Sequence, residues 1–332
     1  MNIDGTKIGG GSPTYLIAEL GINHNGRVDE CLKLIEAAKA SGVSAVKLQV
    51  FQASEFLSKT SAYFEQFSKF SFNESEYCDI FDYAANLNIT IFASVFDFLS
   101  LEMLQKLDCC AYKIASGDIN HLSLIKEVAK TNKPIIFSRG GANLIECQRA
   151  IEEVRTQNPI AEIAILHCVS NYPLQPFEAN LASINTLKKA LDVPTGFSDH
   201  SIGLSLPIAA VALGAEIIEK HFTLDCNNEG FDHALSVDPK AMSQLSQSLK
   251  DVHEAIGSEK IRTVEDPEHI KNIRRGVRVK KNLVAGTKLS QDLLSFTRPQ
   301  VEISADEIYE IIGKKLNTDL EENEVLQRSH LE

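Results

Sequence analysis

The sequence predicts an α/β protein in which a closed (β/α)8 barrel of the TIM type is followed by a small mixed α/β module. Three observations predict it. Short apolar or alternating runs recur, each followed by a stretch of helical periodicity, which is the pattern of a parallel sheet with crossover helices. The chain has 332 residues, the length of a barrel of ~250 residues plus a small module. Polar residues collect at the C-terminal ends of the apolar runs, where barrel enzymes place their chemistry.

Eight runs read as strands: 15–20 (YLIAEL), 44–50 (SAVKLQV), 89–95 (ITIFASV), 111–115 (AYKIA), 134–138 (PIIFS), 163–168 (IAILHC), 194–198 (PTGFS) and 215–221 (AEIIEKH). Pro134 and Pro194 each open a strand, a position that tolerates a missing N–H. Gly9, Gly10 and Gly11 precede the first strand and form a turn, whereas a dinucleotide fingerprint would follow it. Between the strands, Asp29 to Ala40 puts Cys31, Leu34, Ile35 and Ala38 on one stripe and stops at Ser41-Gly42. Leu144 to Arg155 and Leu204 to Leu213 have similar apolar faces. The segment 53–73 (ASEFLSKTSAYFEQFSKFSFN) reads as a long loop, and a loop of that length in a compact domain is usually a lid or a partner surface. A helix near 239–256 closes the barrel; the charged stretch 257–274 reads as a linker or hairpin. Short β-like runs and a helix near 304–314 then form the module. These features place the barrel at 1–260, a linker at 261–274 and the module at 275–332.

Hydrophobic residues make up 44% of the chain and charged residues 23%, ordinary usage for a chain that buries a sizeable core. A net charge of −12 argues against nucleic acid or an anionic membrane as the main partner, because both require a basic footprint. No apolar run approaches the ~18 residues of a membrane helix and the N-terminus lacks the layout of a signal peptide, so a cytoplasmic protein is expected. The cysteines at 31, 78, 109, 110, 147, 168 and 226 include no C-x-x-C pair, which signals neither a disulfide framework nor a thiolate zinc site. Cys168, at the end of a strand, is the one best placed for chemistry.

The strand ends hold the candidate site. Strand one finishes on Glu19, strand two carries Lys47 and Gln49 on one face, and strand four carries Lys113 and runs into Ser116 and Asp118. Ser138 ends strand five, Ser170 and Tyr172 follow strand six, Ser198 and His200 end strand seven, and His221 ends strand eight. A single lysine in an apolar strand has a plain explanation in snorkelling. Two of them aimed at one mouth of an acidic protein form a local anion site, with phosphate the commonest small anion to fill it. A lone histidine is usually a packed core residue, but His200 and His221 end neighbouring strands and can share one metal ion, with Glu19 next to them once the barrel closes. Two imidazoles, a carboxylate and open positions suit manganese, iron or zinc. Asp232-His233 after strand eight is either a further ligand or a helix-entry loop, and His24 either a substrate contact or a turn residue.

The motifs AELGINHNG (18–26), VKLQ (46–49), YKIASGD (112–118), LHCVSNYP (166–173), GFSDHSIG (196–203) and EKHFTLD (219–225) resemble, in order, those of the sialic acid synthase family, which includes N-acetylneuraminate, legionaminate and pseudaminate synthases. VAGTKLSQDLLSFTRP (284–299) is similar to the antifreeze-like (SAF) domain that follows the barrel in that family. The resemblance implies a transferase that condenses phosphoenolpyruvate with N-acetylmannosamine or a diacetamido-hexose to a nine-carbon 2-keto acid and phosphate. It implies His200 and His221 as ligands of manganese or magnesium, Glu19 as the carboxylate beside them, and Asp118 in place of a usual catalytic glutamate. It implies Lys47, Lys113, Ser116, Ser138 and Ser198 as phosphoenolpyruvate contacts and Gln49, Tyr172 and Asp232 as sugar contacts, with Ser170 in the same binding set. Arg298 resembles the arginine inserted into a partner's barrel mouth, which implies a domain-swapped homodimer. Val95, Arg139, Gly141 and the loop 226–233 depart from the family pattern around the expected sugar pocket. Because a fold alone does not set chemistry, a metal-dependent aldolase or sugar isomerase on the same barrel is the alternative.

Overall fold

Eight parallel strands close on themselves in the computed structural model, which describes residues 1–257 and 264–332. They are β1 (Tyr15–Gly21), β2 (Ala45–Val50), β3 (Thr90–Val95), β4 (Tyr112–Ile114), β5 (Ile135–Ser138), β6 (Ile163–Cys168), β7 (Thr195–Asp199) and β8 (Ile217–His221). Each pairs with its neighbour in sequence, and β8 returns to β1. The strands are buried on both faces, by the barrel interior and by the surrounding helices, which is why they read in the sequence as nearly unbroken apolar runs. Ile17, Val46, Phe92, Phe137, Ile165, Phe197 and Ile218 are fully enclosed.

The crossover helices follow from local signals. Helix α1 (Val28–Ala40) buries Cys31, Leu34, Ile35 and Ala38, the stripe that the spacing predicts. The segment 53–73, expected to be a loop, instead contains two short helices, α2 (Ala53–Phe56) and α3 (Phe64–Ser68). Each is too short to show a helical period in the sequence. They are held by phenylalanines: Phe56 and Phe67 pack on Phe51, Phe70, Phe96 and Ile22 in an apolar cluster separate from the main core. Helix α4 (Glu74–Asn86) starts at a reciprocal capping box between Asn73 and Glu76, which satisfies two otherwise orphaned N–H groups. Next come α5 (Phe98–Lys106), α6 (Leu122–Ala129), α7 (Leu144–Gln157), α8 (Ser183–Leu191), α9 (Ser205–Ala212) and α10 (Pro239–Ile256). No helix among the described residues is long and apolar enough to cross a membrane.

The chain divides into two compact units, Met1–Gly257 and Ser258–Glu332. Part of the expected linker, 258–263, lies outside the described residues. The rest is not all extended: Asp266 accepts N–H bonds from Glu268 and His269, Pro267 takes the first helical position, and α11 (Pro267–Ile273) results. In the second unit β9 (Gly276–Val279) pairs antiparallel with β10 (Leu294–Thr297). Val277, Val279, Leu289, Leu294, Ile303, Leu316 and Leu326 form its own core. The helix expected near 304–314 is shorter, α12 (Ile308–Ile311), with one turn of 3-10 helix before it.

Candidate active site at the barrel mouth

Register decides which side chains share the mouth. Strand pairing sets His221 beside Glu19, Glu19 beside Lys47, Gln49 beside Ser94 and Ser94 beside Lys113. It also sets Cys168 beside Ser198 and Ser198 beside Glu219. Alternate residues of a strand point to opposite faces, so these groups face the interior together while Asp199 and Lys220 turn outward. With Ser116, Ser138, Ser170, Tyr172, His200 and Asp232 they line a cavity of about 550 Å³.

The floor of the cavity is a buried ionic network. Lys47 Nζ lies 2.5 Å from Glu19 Oε2 and 3.7 Å from Glu219 Oε2, and donates to Ser94 Oγ at 2.8 Å. Lys113 Nζ lies 3.7 Å from Glu219 Oε1, which accepts a 2.8 Å bond from Ser198 Oγ. Gln49 Nε2 donates to the other oxygen of Glu19 at 2.8 Å. Burial opposes the charge of Glu219, but Lys113 and Lys47 outweigh it and hold that carboxyl down at about 2. For Glu19 the balance reverses: burial, together with the neighbouring Glu219 charge, pushes it upward against the pull of Lys47. Two carboxyls facing one ammonium cannot both ionise freely. Burial also opposes the charge on Lys47, yet the two carboxylates keep its affinity for the proton above the ordinary value. Lys113 goes down instead, because burial exceeds its single loose pairing.

The histidines sit on one flank. His200 and His221 have ring centroids 5.4 Å apart, and Tyr172 stacks on His200 at 4.1 Å. The His200 Nδ1 atom is 2.8 Å from the Val169 carbonyl oxygen; an acceptor there requires the proton on Nδ1 and leaves the lone pair on Nε2. Burial pushes His221 down to about 4, so its ring is neutral at pH 7. Its Nδ1 is buried without a hydrogen-bond partner among the described residues, 3.5 Å from Asp232 Oδ2. An orphaned imidazole nitrogen beside a second imidazole and a carboxylate fits a divalent ion. No preformed group of three or more such ligands occurs among the described residues, so other coordination positions would belong to water or substrate.

Gly21 lets the loops approach. The β1–β2 register shifts between Glu19 and Gly21, and Gly21 has a φ of 52°. A Cβ there would stand 3.2 Å from Asp232 Oδ2 and 3.5 Å from Gln49 Nε2, so a side chain would crowd the carboxylate and the amide at the cavity edge.

Among the residues expected from the sequence, Glu19, Lys47, Gln49, Lys113, Ser116, Ser138, Ser170, Tyr172, Ser198, His200, His221 and Asp232 all line this cavity. Asp118 does not; it is half-buried at the end of a 3-10 turn whose first two residues, Ser116 and Gly117, reach the cavity. Arg298 belongs to the second unit, where it follows β10. The sequence places Glu219 at the end of strand eight but gives it no role, and Ser94 does not stand out in it at all. Glu219 was legible by its spacing, two residues before His221 on the same face. Ser94 becomes visible only through its pairing with Gln49 and Lys113. Of the departures expected around the sugar pocket, only the loop 226–233 contributes, with Phe231 and Asp232. Val95 follows Ser94 and so faces away. The Arg139 guanidinium donates to the Ala142 carbonyl at 3.2 Å and lies 3.0 Å from His167 Nδ1, outside the cavity lining. Cys168 does line it, accepting a 3.4 Å bond from Ser116 Oγ.

His24 closes a turn. Its Nδ1 accepts the Gly26 N–H at 3.1 Å and its ring packs 4.5 Å from Phe72. Burial lowers its affinity for the proton to about 4. The unfolded chain takes up this proton near the ordinary value of about 6.5, so protonation favours unfolding. Stability should therefore fall between pH 6.5 and pH 4, by about 3 kcal/mol from this group. Urea unfolding of His24→Gln should show a flatter acid limb than the wild type; parallel limbs would refute this account.

Comparison with known proteins agrees along the length of the chain. A model of the NeuB family matches residues 34–261, and one of the SAF domain matches 274–332. The N,N'-diacetyllegionaminic acid synthase of Legionella pneumophila is 34% identical, over 99% of this chain and 98% of its own. The pseudaminic acid synthase of Helicobacter pylori is also 34% identical, over 96% and 98%. The crystal structure of N-acetylneuraminic acid (sialic acid) synthetase from Leptospira borgpetersenii, in complex with citrate, superposes with a TM-score of 0.77 at 33% identity, covering 81% of this chain and 94% of that one.

Proposed function

We propose that this chain, which belongs to the NeuB family, is a nonulosonic acid synthase that condenses phosphoenolpyruvate with an N-acetylated amino-sugar aldehyde, as a transferase forming a carbon–carbon bond. The observation that supports it best is Lys113, an ammonium group enclosed at the cavity floor whose one ion pair among the described residues is with Glu219, 3.7 Å away. Close by, the buried Ser138 hydroxyl has no hydrogen-bond partner among the described residues. Such groups cost free energy to bury unless a ligand completes them, and a small polyanion completes both.

In this reading Lys47, Lys113, Ser116 and Ser138 hold the phosphate and carboxylate of phosphoenolpyruvate. The enol carbon attacks the sugar aldehyde carbon and the carbonyl oxygen takes a proton. Water then adds to the cationic carbon that bears the phosphate, and its C–O bond breaks to release phosphate and leave the 2-keto group. Glu19, which burial pushes toward the protonated form, is the group placed to exchange protons with the carbonyl oxygen or the water. Manganese or magnesium held by His200 and His221 would supply Lewis acidity toward the aldehyde oxygen. The apolar side of the cavity, with Ile22, Phe56, Phe67 and Phe96, would limit the water that reaches the reacting carbons and so limit hydrolysis before the bond forms. The reading includes a cytoplasmic, domain-swapped homodimer in which Arg298 of one chain reaches the barrel mouth of the other.

Phosphate release should require phosphoenolpyruvate and an amino sugar together and yield a 2-keto acid in equal amount. Sugar cleavage or isomerisation without phosphoenolpyruvate would replace this reading with the aldolase or isomerase alternative.

A further inference from the structure

In the second unit the chain leaves β10 through a turn that is braced from three directions. Thr297, the last residue of β10, pairs with Gly276 of β9. A Cβ on Gly276 would stand 2.5 Å from the Val301 nitrogen, so the chain beyond the turn lies directly against the strand. The Gln300 N–H donates to the Lys271 carbonyl at 2.9 Å. Between these anchors Arg278 spans the turn. Its Nη1 donates to the Thr297 carbonyl at 3.1 Å and to Thr297 Oγ1 at 2.8 Å, and the same guanidinium reaches the Pro299 carbonyl at 3.4 Å. The residue between those two carbonyls is Arg298, which is exposed. Water can satisfy the carbonyls of an exposed turn; here a planar fork of donors, whose geometry fixes what it binds, takes two of them.

We infer that Arg278 is a positioning residue: it fixes the backbone on both sides of Arg298 and so presents that exposed side chain in one direction, to an acceptor outside its own unit. The inference rests on the reading above in which Arg298 of one chain reaches the barrel mouth of the other. A long side chain carried on a fixed backbone has less freedom to lose on contact. Lysine cannot reproduce the brace, because an ammonium is a point charge on a flexible stem.

The test is a double-mutant cycle on the full chain, with phosphate release measured in the wild type, Arg278→Lys, Arg298→Ala and the pair. The substrates are phosphoenolpyruvate and whichever of N-acetylmannosamine and a diacetamido-trideoxyhexose the wild type turns over faster. Arg298→Ala should raise the KM for the sugar by about tenfold or more, the loss of hydrogen bonding from a charged group, with the KM for phosphoenolpyruvate little changed. Arg278→Lys should raise the sugar KM by a smaller factor, again with the other KM little changed. The pair should be no worse than Arg298→Ala alone, since the brace then has nothing to aim. Amide hydrogen exchange across 294–303 should also be faster in Arg278→Lys than in the wild type, a readout independent of turnover. Losses that multiply in the pair would overturn the inference, as would a wild-type sugar KM or unchanged exchange in Arg278→Lys. Equal rises in both KM values in Arg278→Lys would overturn it too, and would make Arg278 a general support of its unit. Wild-type kinetics in Arg298→Ala would bring down the swapped-domain reading and this inference with it, whereas no turnover of either sugar by the wild type would bring down the synthase reading itself.

Discussion

Lys113→Met is expected to raise the KM for phosphoenolpyruvate by about a hundredfold, the ~2–3 kcal/mol of hydrogen bonding to a charged group, at a smaller cost to fold stability than the loss of Lys47. In the unliganded protein this ammonium is enclosed and held by one carboxylate at 3.7 Å, and burial already lowers its proton affinity. Removing it relieves that desolvation cost but leaves the buried Glu219 carboxylate to Lys47 and Ser198 alone. Lys47 differs, because its ammonium stands 2.5 Å from Glu19 as well as 3.7 Å from Glu219. Lys47→Met leaves Glu19 buried without its close cation and Glu219 with Lys113 alone, and should lower stability by about 3–5 kcal/mol. Steady-state kinetics and urea unfolding on the two variants separate the roles. If Lys113→Met were to unfold as readily as Lys47→Met with KM unmoved, Lys113 would be scaffold and the anion site would lie elsewhere.

The second large effect is expected at the imidazole pair. His221→Ala should lower turnover by about a thousandfold or more, as the loss of several kcal/mol of electrophilic stabilisation implies. Bound manganese measured after equilibrium dialysis should fall with it, while circular dichroism stays that of the wild type. Chelation should likewise abolish wild-type turnover, and added manganese should restore it. Metal content equal to wild type in both His200→Ala and His221→Ala would refute the assignment.

Most of the barrel was legible because each of its strands is covered on both sides, so it appears as an apolar run with its polar residues conspicuous at one end. Lys47, Lys113 and His221 stood out for that reason. Facing direction was harder to read. Arg139 and Val95 lie at strand ends as the site residues do, yet they point away from the cavity, because each directly follows a residue, Ser138 or Ser94, that lines it. Glu219 was passed over in favour of its neighbours, although its two-residue spacing from His221 marks it. The helices within 53–73 left no period to detect, since neither completes two turns; they are held by rings gathered from positions such as Phe51 and Phe96, and tertiary proximity of that kind is invisible in a local window.

Strand β8 carries two unrelated electrical systems on consecutive residues. Glu219 belongs to the ligand side. Lys220 faces the opposite way, fully enclosed, with Asp199 Oδ2 at 2.7 Å, and Asp199 Oδ1 accepts the Ser201 N–H at 2.9 Å. This outer pair clamps the backbone on either side of His200 and neutralises itself. An anion bound at the mouth in the proposed reaction would therefore shift the potential felt by Glu219 without loosening the clamp that aims the imidazole. The barrel wall acts as an insulator between a circuit that must respond to substrate and one that must not.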